Sequence, residues 1–235
     1  MKNDEVVRHL RDGDIEVVGK IAASSNQALL VDVTHGGSRL SACYKTELGE
    51  RPLWDFPEGL WRREVAAWRL ADAIGLDLIP VTVERNDGPY GPGSLQLWVA
   101  TATDDHYFTV RDREELQPWF MALAAFDVIA NNTDRKSGHV LFDGSRCWGI
   151  DQGLCFGDDS QLRTVIWDFA GMPLPTHVIE ALTRATAVSN DLFADLLTVR
   201  EINAIRQRAT ELLSDNRFPV PNDDGEWPPY PWPLI

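Results

Sequence analysis

The hydrophobic rhythm of this 235-residue chain changes once, near residue 110, and that change constrains the fold more than any single motif. Before it, β-rich runs dominate. "EVVGKIAASSNQALLVDV" (Glu16 to Val33) reads as two strands joined by the polar turn "ASSN", and "RLSACYKTEL" as a third. "DLIPVTVERNDGPYGPGSLQLWVA" holds two more around a Gly/Pro turn. One helix interrupts them, "PEGLWRREVAAWRLADAIG", with Pro57 suited to its first turn and Gly75 to its stop. Trp61, Val65 and Trp68 recur on one face of it, which Ala71 and Ile74 continue.

After the change the pattern is helical. Asp112 and Glu115 have capping-box spacing, while Pro118 restarts the main helix, "PWFMALAAFDVIAN". Further helices are predicted at "PTHVIEALTRAT", "SNDLFADLL" and "TVREINAIRQRATELL", the last with a second capping box at Thr198 and Glu201. The final stretch, "NRFPVPNDDGEWPPYPWPLI", has too much proline for helix, and its tryptophans and Tyr230 suggest a tail packed on the body. Strands followed by helices predict an α+β chain: a β-rich lobe over residues 1–100 and a helical lobe over 101–235.

Charge narrows the function. The formal net charge of −14 argues against binding a phosphate backbone and against standing attachment to an anionic membrane. A nucleotide carried with a divalent cation stays compatible, because the metal supplies the positive charge. No apolar run approaches the roughly 20 residues of a membrane span. The charged start "MKNDEVVRHLRDGD" has no signal-like apolar segment. Cys43, Cys147 and Cys155, an odd set without metal-type spacing, fit a reduced cytoplasmic setting.

The remaining question is why polar groups sit at the edges of apolar segments in "NNTDRKSGHVLF" and "WGIDQGLCF". Asp134 follows a buried-looking helix, His139 comes five residues later, and Asp151 ends the short strand "CWGI". Upstream, Lys45 lies in the third strand run, and Glu64 lies 19 positions after it on the interrupting helix, where the two would pair. Phosphoryl transfer asks for a cation on the nucleotide phosphates, an anchor for it, metal ligands and a group that orients the nucleophile. The interval from Asp134 to His139 also matches the spacing of catalytic Asp and metal-binding Asn in the kinase loop.

This order of strand lysine, helix glutamate, loop aspartate, metal ligand and strand-end aspartate resembles the protein-kinase-like fold. "FDVIANNTDR" is similar to the loop of type II phosphatidylinositol 4-kinases, and "GIDQGLCF" to a second stretch of the same enzymes; HipA-like kinases are near. With "YKTELGERPLWDFPEGLWRRE" and "DRKSGHVL", the chain resembles a bacterial phosphatidylinositol 3-/4-kinase-related family, strongly from Lys45 to Phe156. The resemblance implies a bilobal ATP-dependent kinase using Mg2+ or Mn2+. Lys45 would hold the α/β-phosphates and Glu64 would fix Lys45. Asp134 would orient or deprotonate the acceptor hydroxyl, and His139 with Asp151 would bind the metal.

Three departures stand out. His139 replaces the usual Asn, and imidazole suits manganese or zinc better than magnesium. Lys136 lies two residues after Asp134, where its charge would stabilise the transferring phosphoryl group. "ASSN" replaces a Gly-rich loop, leaving Ser24 and Ser25 to contact phosphates or simply to close a hairpin. Leu97, Trp98 and Val99 fall where an interlobe hinge would border adenine, although a plain buried strand fits them equally.

Other residues carry plainer readings beside the functional ones. Asn132 and Asp134 are also turn formers, Lys45 alone reads as a solvated strand lysine, and Glu64 alone as an exposed helix charge. Asp127, inside an apolar run, reads as structural and in need of hydrogen-bond partners, which capping the loop backbone would provide. Asp158 and Asp159 read as a surface turn. The expected partners are a nucleotide and a protein or small polar acceptor, with no nucleic acid. Adenylyl transfer and a nucleotide-sensing, catalytically silent module remain alternatives.

Overall fold

A helix the strand-rich reading did not anticipate opens the fold: α1 (Asn3–Asp12), with Asp4 and Glu5 in its first turn and Val6 and Leu10 buried. Only three apolar residues in a charged decapeptide mark it, and they matter because they cover a sheet. The computed structural model describes residues 3–21, 27–53, 56–101, 103–157, 162–222, 224 and 227–235.

The sheet is antiparallel, in the order β1 (Asp14–Lys20), β2 (Leu29–His35), β3 (Ser38–Thr46), β5 (Gly93–Leu97), β4 (Thr82–Arg85). β2 and β3 are joined through Gly36 and Gly37, whose φ angles of 58° and 80° suit the tight hairpin that side-chain-bearing residues resist. Period-2 alternation then sorts the two faces. Val31 and Val33, Ala42 and Tyr44, Val83 and Leu95 share one face and pack under α1. The opposite face carries Cys43 and Lys45, paired with Gln96 and Ser94.

α2 (Leu60–Ala73) lies between the sheet and the rest of the chain. Its Trp61, Val65, Leu70 and Ile74 join the larger apolar cluster, and Trp68 touches both clusters. Pro57 falls before the helix, and the start is held from outside instead. The Glu50 carboxylate accepts the N–H groups of Gly59 at 2.9 Å and Trp61 at 2.8 Å. The stop behaves as expected: Gly75 has φ 75°, Leu76 N–H donates to Ala71 O, and Gly75 N–H donates to Asp72 O.

The helical part begins with the short α3 (Tyr107–Val110). Asp112 does not cap a helix; the 3-10 turn Glu114–Leu116, preceded by Arg113, leads into α4 (Gln117–Ala130), with Pro118 in its first turn. The hairpin of β6 (Val140–Phe142) and β7 (Cys147–Gly149) follows. α5 (Thr176–Ala185) and α6 (Val199–Asp215) pack on α4 around Phe120, Phe126, Ile129 and Ile205, and the Thr198–Glu201 capping box is present. "SNDLFADLL" forms two 3-10 turns, Asn190–Leu192 and Ala194–Leu196, rather than an α-helix.

The tail packs as expected but through different groups. Pro229 and Pro231 are buried, whereas Trp227, Tyr230 and Trp232 stay substantially exposed. Backbone bonds fix it: Thr164 N–H and Trp167 Nε1 donate to Pro229 O, and Ser137 N–H donates to Leu234 O. Among the described residues no helix is long and apolar enough to cross a membrane.

Candidate functional site

Lys45 and Glu64 meet across the gap between β3 and α2. The Lys45 ammonium donates to Glu64 Oε1 and, at 2.8 Å, to Asp151 Oδ1. Glu64 is nearly inaccessible, and its second oxygen accepts Gln152 N–H at 2.9 Å. Asp151 reaches them from the end of β7, turning there with φ 59°, a left-handed conformation that aspartate tolerates better than most residues. Three residues from three elements thus share one ammonium group.

Electrostatics follow from that geometry. Burial alone would lower the Lys45 pKa, but the charges of Asp151 and Glu64 overcome it and hold the ammonium above its ordinary range. Burial pushes Glu64 up, against the opposing pull of Lys45. The surrounding protein would raise Asp151 too, yet Lys45 outweighs it and keeps this carboxyl well below the usual range. Asp151 is therefore a firm anion, 40% exposed toward the cleft.

Asp134 follows α4 through Asn131, whose φ of 48° ends the helix. Asn132 Oδ1 accepts Asp134 N–H at 2.9 Å, so the turn chemistry weighed for "NNTD" is real, and it also presents Asp134 to the cleft. Asp134 Oδ2 accepts from Lys136 Nζ at 2.8 Å. Burial nevertheless pushes the Asp134 carboxyl up, with Lys136 opposing, which makes it a better proton acceptor than a free aspartate.

His139 lies beside Asp151, with Nε2 3.4 Å from Oδ2. Burial lowers its pKa to about 4, so the ring is neutral at pH 7. Lys136 N–H donates to Nδ1 at 3.4 Å, which leaves the ring hydrogen on Nε2, facing Asp151. In this tautomer the ring turns an N–H, rather than a lone pair, toward Asp151. Among the described residues no cluster of three His, Cys, Asp or Glu side chains gathers as a metal cage.

Under the loop lies a partner that sequence reasoning missed. Asp127, fully buried, takes two bonds at 2.8 Å from Arg135, one from Nε and one from the terminal nitrogen, and a third from Asn132 Nδ2 at 3.1 Å. Its side chain was expected to cap loop backbone; a guanidinium eight residues on satisfies it instead. Arg135 also donates to Ile150 O and Gln152 Oε1, tying the loop to the strand that bears Asp151. The available signal was electrostatic, since a buried carboxylate in an apolar helix calls for a cation, but it did not say which one.

Lys45, Glu64, Asp134 and Asp151 line one cleft of about 240 Å3, together with Glu50 and Arg51. The three residues expected to border adenine lie elsewhere than on this lining. Leu97 shares the face of Leu95 and packs with the cluster beneath α1, away from Lys45. Trp98 is exposed, its N–H donating to Ser41 O, and Val99 is half-buried. None of the three lines the cleft. Ser24 and Ser25, and likewise Asp158 and Asp159, lie outside the described residues.

No family model matches the chain. The Mycobacterium tuberculosis protein Rv2133c is 36% identical, over 96% of this chain and 94% of that protein. Two solved structures share the fold at low identity. One is the Helicobacter pylori proinflammatory kinase CtkA, with TM-score 0.52, 9% identity and coverage of 89% of this chain and 94% of that one. The other is hydra Fam20 with sugar, with TM-score 0.57, 12% identity and coverage of 90% and 87%. The protein-kinase-like α+β fold expected from the residue order is the fold observed.

Proposed function

This chain belongs to the family of the Mycobacterium tuberculosis protein Rv2133c, and from that premise we propose that it is an ATP-dependent phosphotransferase acting on a protein side chain or small polar acceptor. One observation carries the reading: a single ammonium, Lys45, bridges Glu64 and Asp151 in the cleft that also holds Asp134. Glu64 fixes Lys45 for the nucleotide phosphates, and Asp134 orients the acceptor hydroxyl and takes its proton. Lys136, already paired with Asp134, balances charge on the transferring group. The wording of "FDVIANNTDR" and "GIDQGLCF" supports a phosphatidylinositol 3-/4-kinase-like type.

A divalent metal, Mg2+ or Mn2+, is implied by this reading, and the residues fit one that arrives with the nucleotide. Asp151 is ionised and reaches the cleft, and magnesium is commonly held by one or two carboxylates plus substrate phosphates. When bound, the metal would neutralise phosphate charge. Asp151 would hold it, and His139 would join only after moving its hydrogen from Nε2 to Nδ1.

The test separates the two aspartates. Asp151→Ala abolishes metal-dependent nucleotide binding, read as loss of the thermal shift given by ATP with Mg2+ or Mn2+. Asp134→Ala keeps that shift and loses product formation from γ-labelled ATP. Wild-type turnover by Asp134→Ala would sink the assignment. The His139 tautomer favours a second reading, a nucleotide-binding module that transfers nothing. Nucleotide binding with neither phosphorylated nor adenylylated product selects it.

A further inference from the structure

Two spaces lie near the Asp134 loop, and Asp134 itself lines only the first. The first is the cleft it shares with Lys45. The other, about 720 Å3, opens between α4, α6 and the tail, with Asn131, Arg163 and Trp227 on its wall. That volume lies within the range of small-molecule pockets, roughly 300–1,000 Å3.

The register beside the loop puts Arg163 next to Asp134. Arg135 and Thr164 pair as a parallel bridge. Around it, Arg163 N–H donates to Asn132 O at 3.0 Å, Arg135 N–H to Arg163 O at 3.0 Å, and Val165 N–H to Arg135 O at 3.1 Å. Arg135 and Thr164 point inward, 0% and 2% exposed. Side chains alternate along extended chain, so Asp134 and Arg163 are neighbours on the outward face. The Arg163 charge acts on Asp134, against the effect of burial.

Arg163 is also uncommitted where its neighbours are not. Its Nε is shielded from solvent and has no hydrogen-bond partner among the described residues. The Trp227 ring centre lies 6.0 Å from its guanidinium carbon. Arg208 and Arg217, on the same wall, are held by the carbonyls of Ile129 and Gly157 and of Gly171. Glu211 and Asp215 line the cavity as well, so attraction for an anion is local to Arg163 rather than a general positive field.

We propose that this cavity receives the acceptor, and that the acceptor is a small hydroxylated molecule whose anionic group, phosphate or carboxylate, is held by Arg163. The planar guanidinium matches such groups through paired N–H bonds. The proposal rests on the phosphotransferase reading. The acceptor oxygen forms the new bond to the γ-phosphorus of ATP, the bond from that phosphorus to the β–γ bridging oxygen breaks, ADP leaves, and the hydroxyl proton passes to Asp134. Arg163 fixes the distance between the anionic group and the hydroxyl that reacts.

The probe is inorganic phosphate, titrated at constant ionic strength into the full chain and read by tryptophan fluorescence. The expected response is saturable in wild type and in Lys45→Met, at least tenfold weaker in Arg163→Gln, and intermediate in Arg163→Lys, which keeps charge but loses the paired geometry. Equal affinity in wild type and Arg163→Gln overturns the proposal, as does a response that fails to saturate or that disappears in Lys45→Met alone. If Arg163→Gln does not fold, Arg163→Lys decides: unchanged affinity overturns, weakened affinity supports. The thermal shift of wild type with ATP and Mg2+ is read separately. Its absence defeats the phosphotransferase reading and leaves the phosphate result standing as a binding site.

Discussion

Asp127 and Arg135 are both fully buried and lie 2.8 Å apart, so each is the other's charged partner in a space closed to water. Breaking such a pair strands a charge, so Asp127→Ala should cost roughly 3–5 kcal/mol in urea denaturation. The double change Asp127→Leu with Arg135→Met should cost less than Asp127→Ala alone, because no charge is left unpaired. His139 makes a second prediction at this scale. Its pKa falls from 6.5 to about 4 through burial, so between those values the unfolded chain binds the extra proton. Stability is then fully present above about pH 6.5 and declines as pH drops toward 4, by on the order of 3 kcal/mol for this group. Thermal midpoints measured from pH 7 to 4 should flatten in His139→Asn; an unchanged slope would remove His139 as the cause.

α2 shows how an element is set from both ends. Its stop is local, with Gly75 in a left-handed conformation and two terminal carbonyls satisfied by the next N–H groups, and it was readable in the glycine. Its start is not local. Gly59 has no side chain to cap with, and Glu50, from the preceding loop, accepts two of the orphan N–H groups. The proline rule therefore pointed to the wrong residue, because capping by a distant side chain leaves no trace at helix spacing. Glu50→Ala should destabilise the fold by about 1 kcal/mol or more. Because Glu64 stands only a turn inside this helix, the same change should weaken nucleotide binding, measured as a smaller ATP-dependent thermal shift. α1 was missed for a related reason: its apolar content is low, and its worth comes from the sheet face it covers.

Across the molecule, α2 is fastened to the helical side more firmly than one ion pair at the cleft would require. Arg63, beside Glu64 in sequence, donates to Glu201 at 2.6 Å at the start of α6 and to Cys155 O at 3.1 Å. Arg69 donates to Leu192 O, and Arg184 to Ile74 O. Swinging Glu64 away would break these bonds, so the helix that fixes Lys45 is held in the paired position. Arg63→Ala should lower stability by about 3 kcal/mol, since Glu201 and Cys155 O are left largely buried, and Arg63→Lys should recover part of it in the same denaturation series. The sequence by itself determined which faces are apolar, where α2 stops, and the order of lysine, glutamate and aspartates that meet in the cleft. Those depend on spacing along the chain, and spacing dictates direction. Even Leu97 was decidable this way, since it has the parity of buried Leu95. Which cation satisfies Asp127, which carboxylate starts α2, and which arginine stands beside Asp134 were decided by the tertiary structure alone. Each is a contact between elements, and only packing selects among the charged side chains that could have made it.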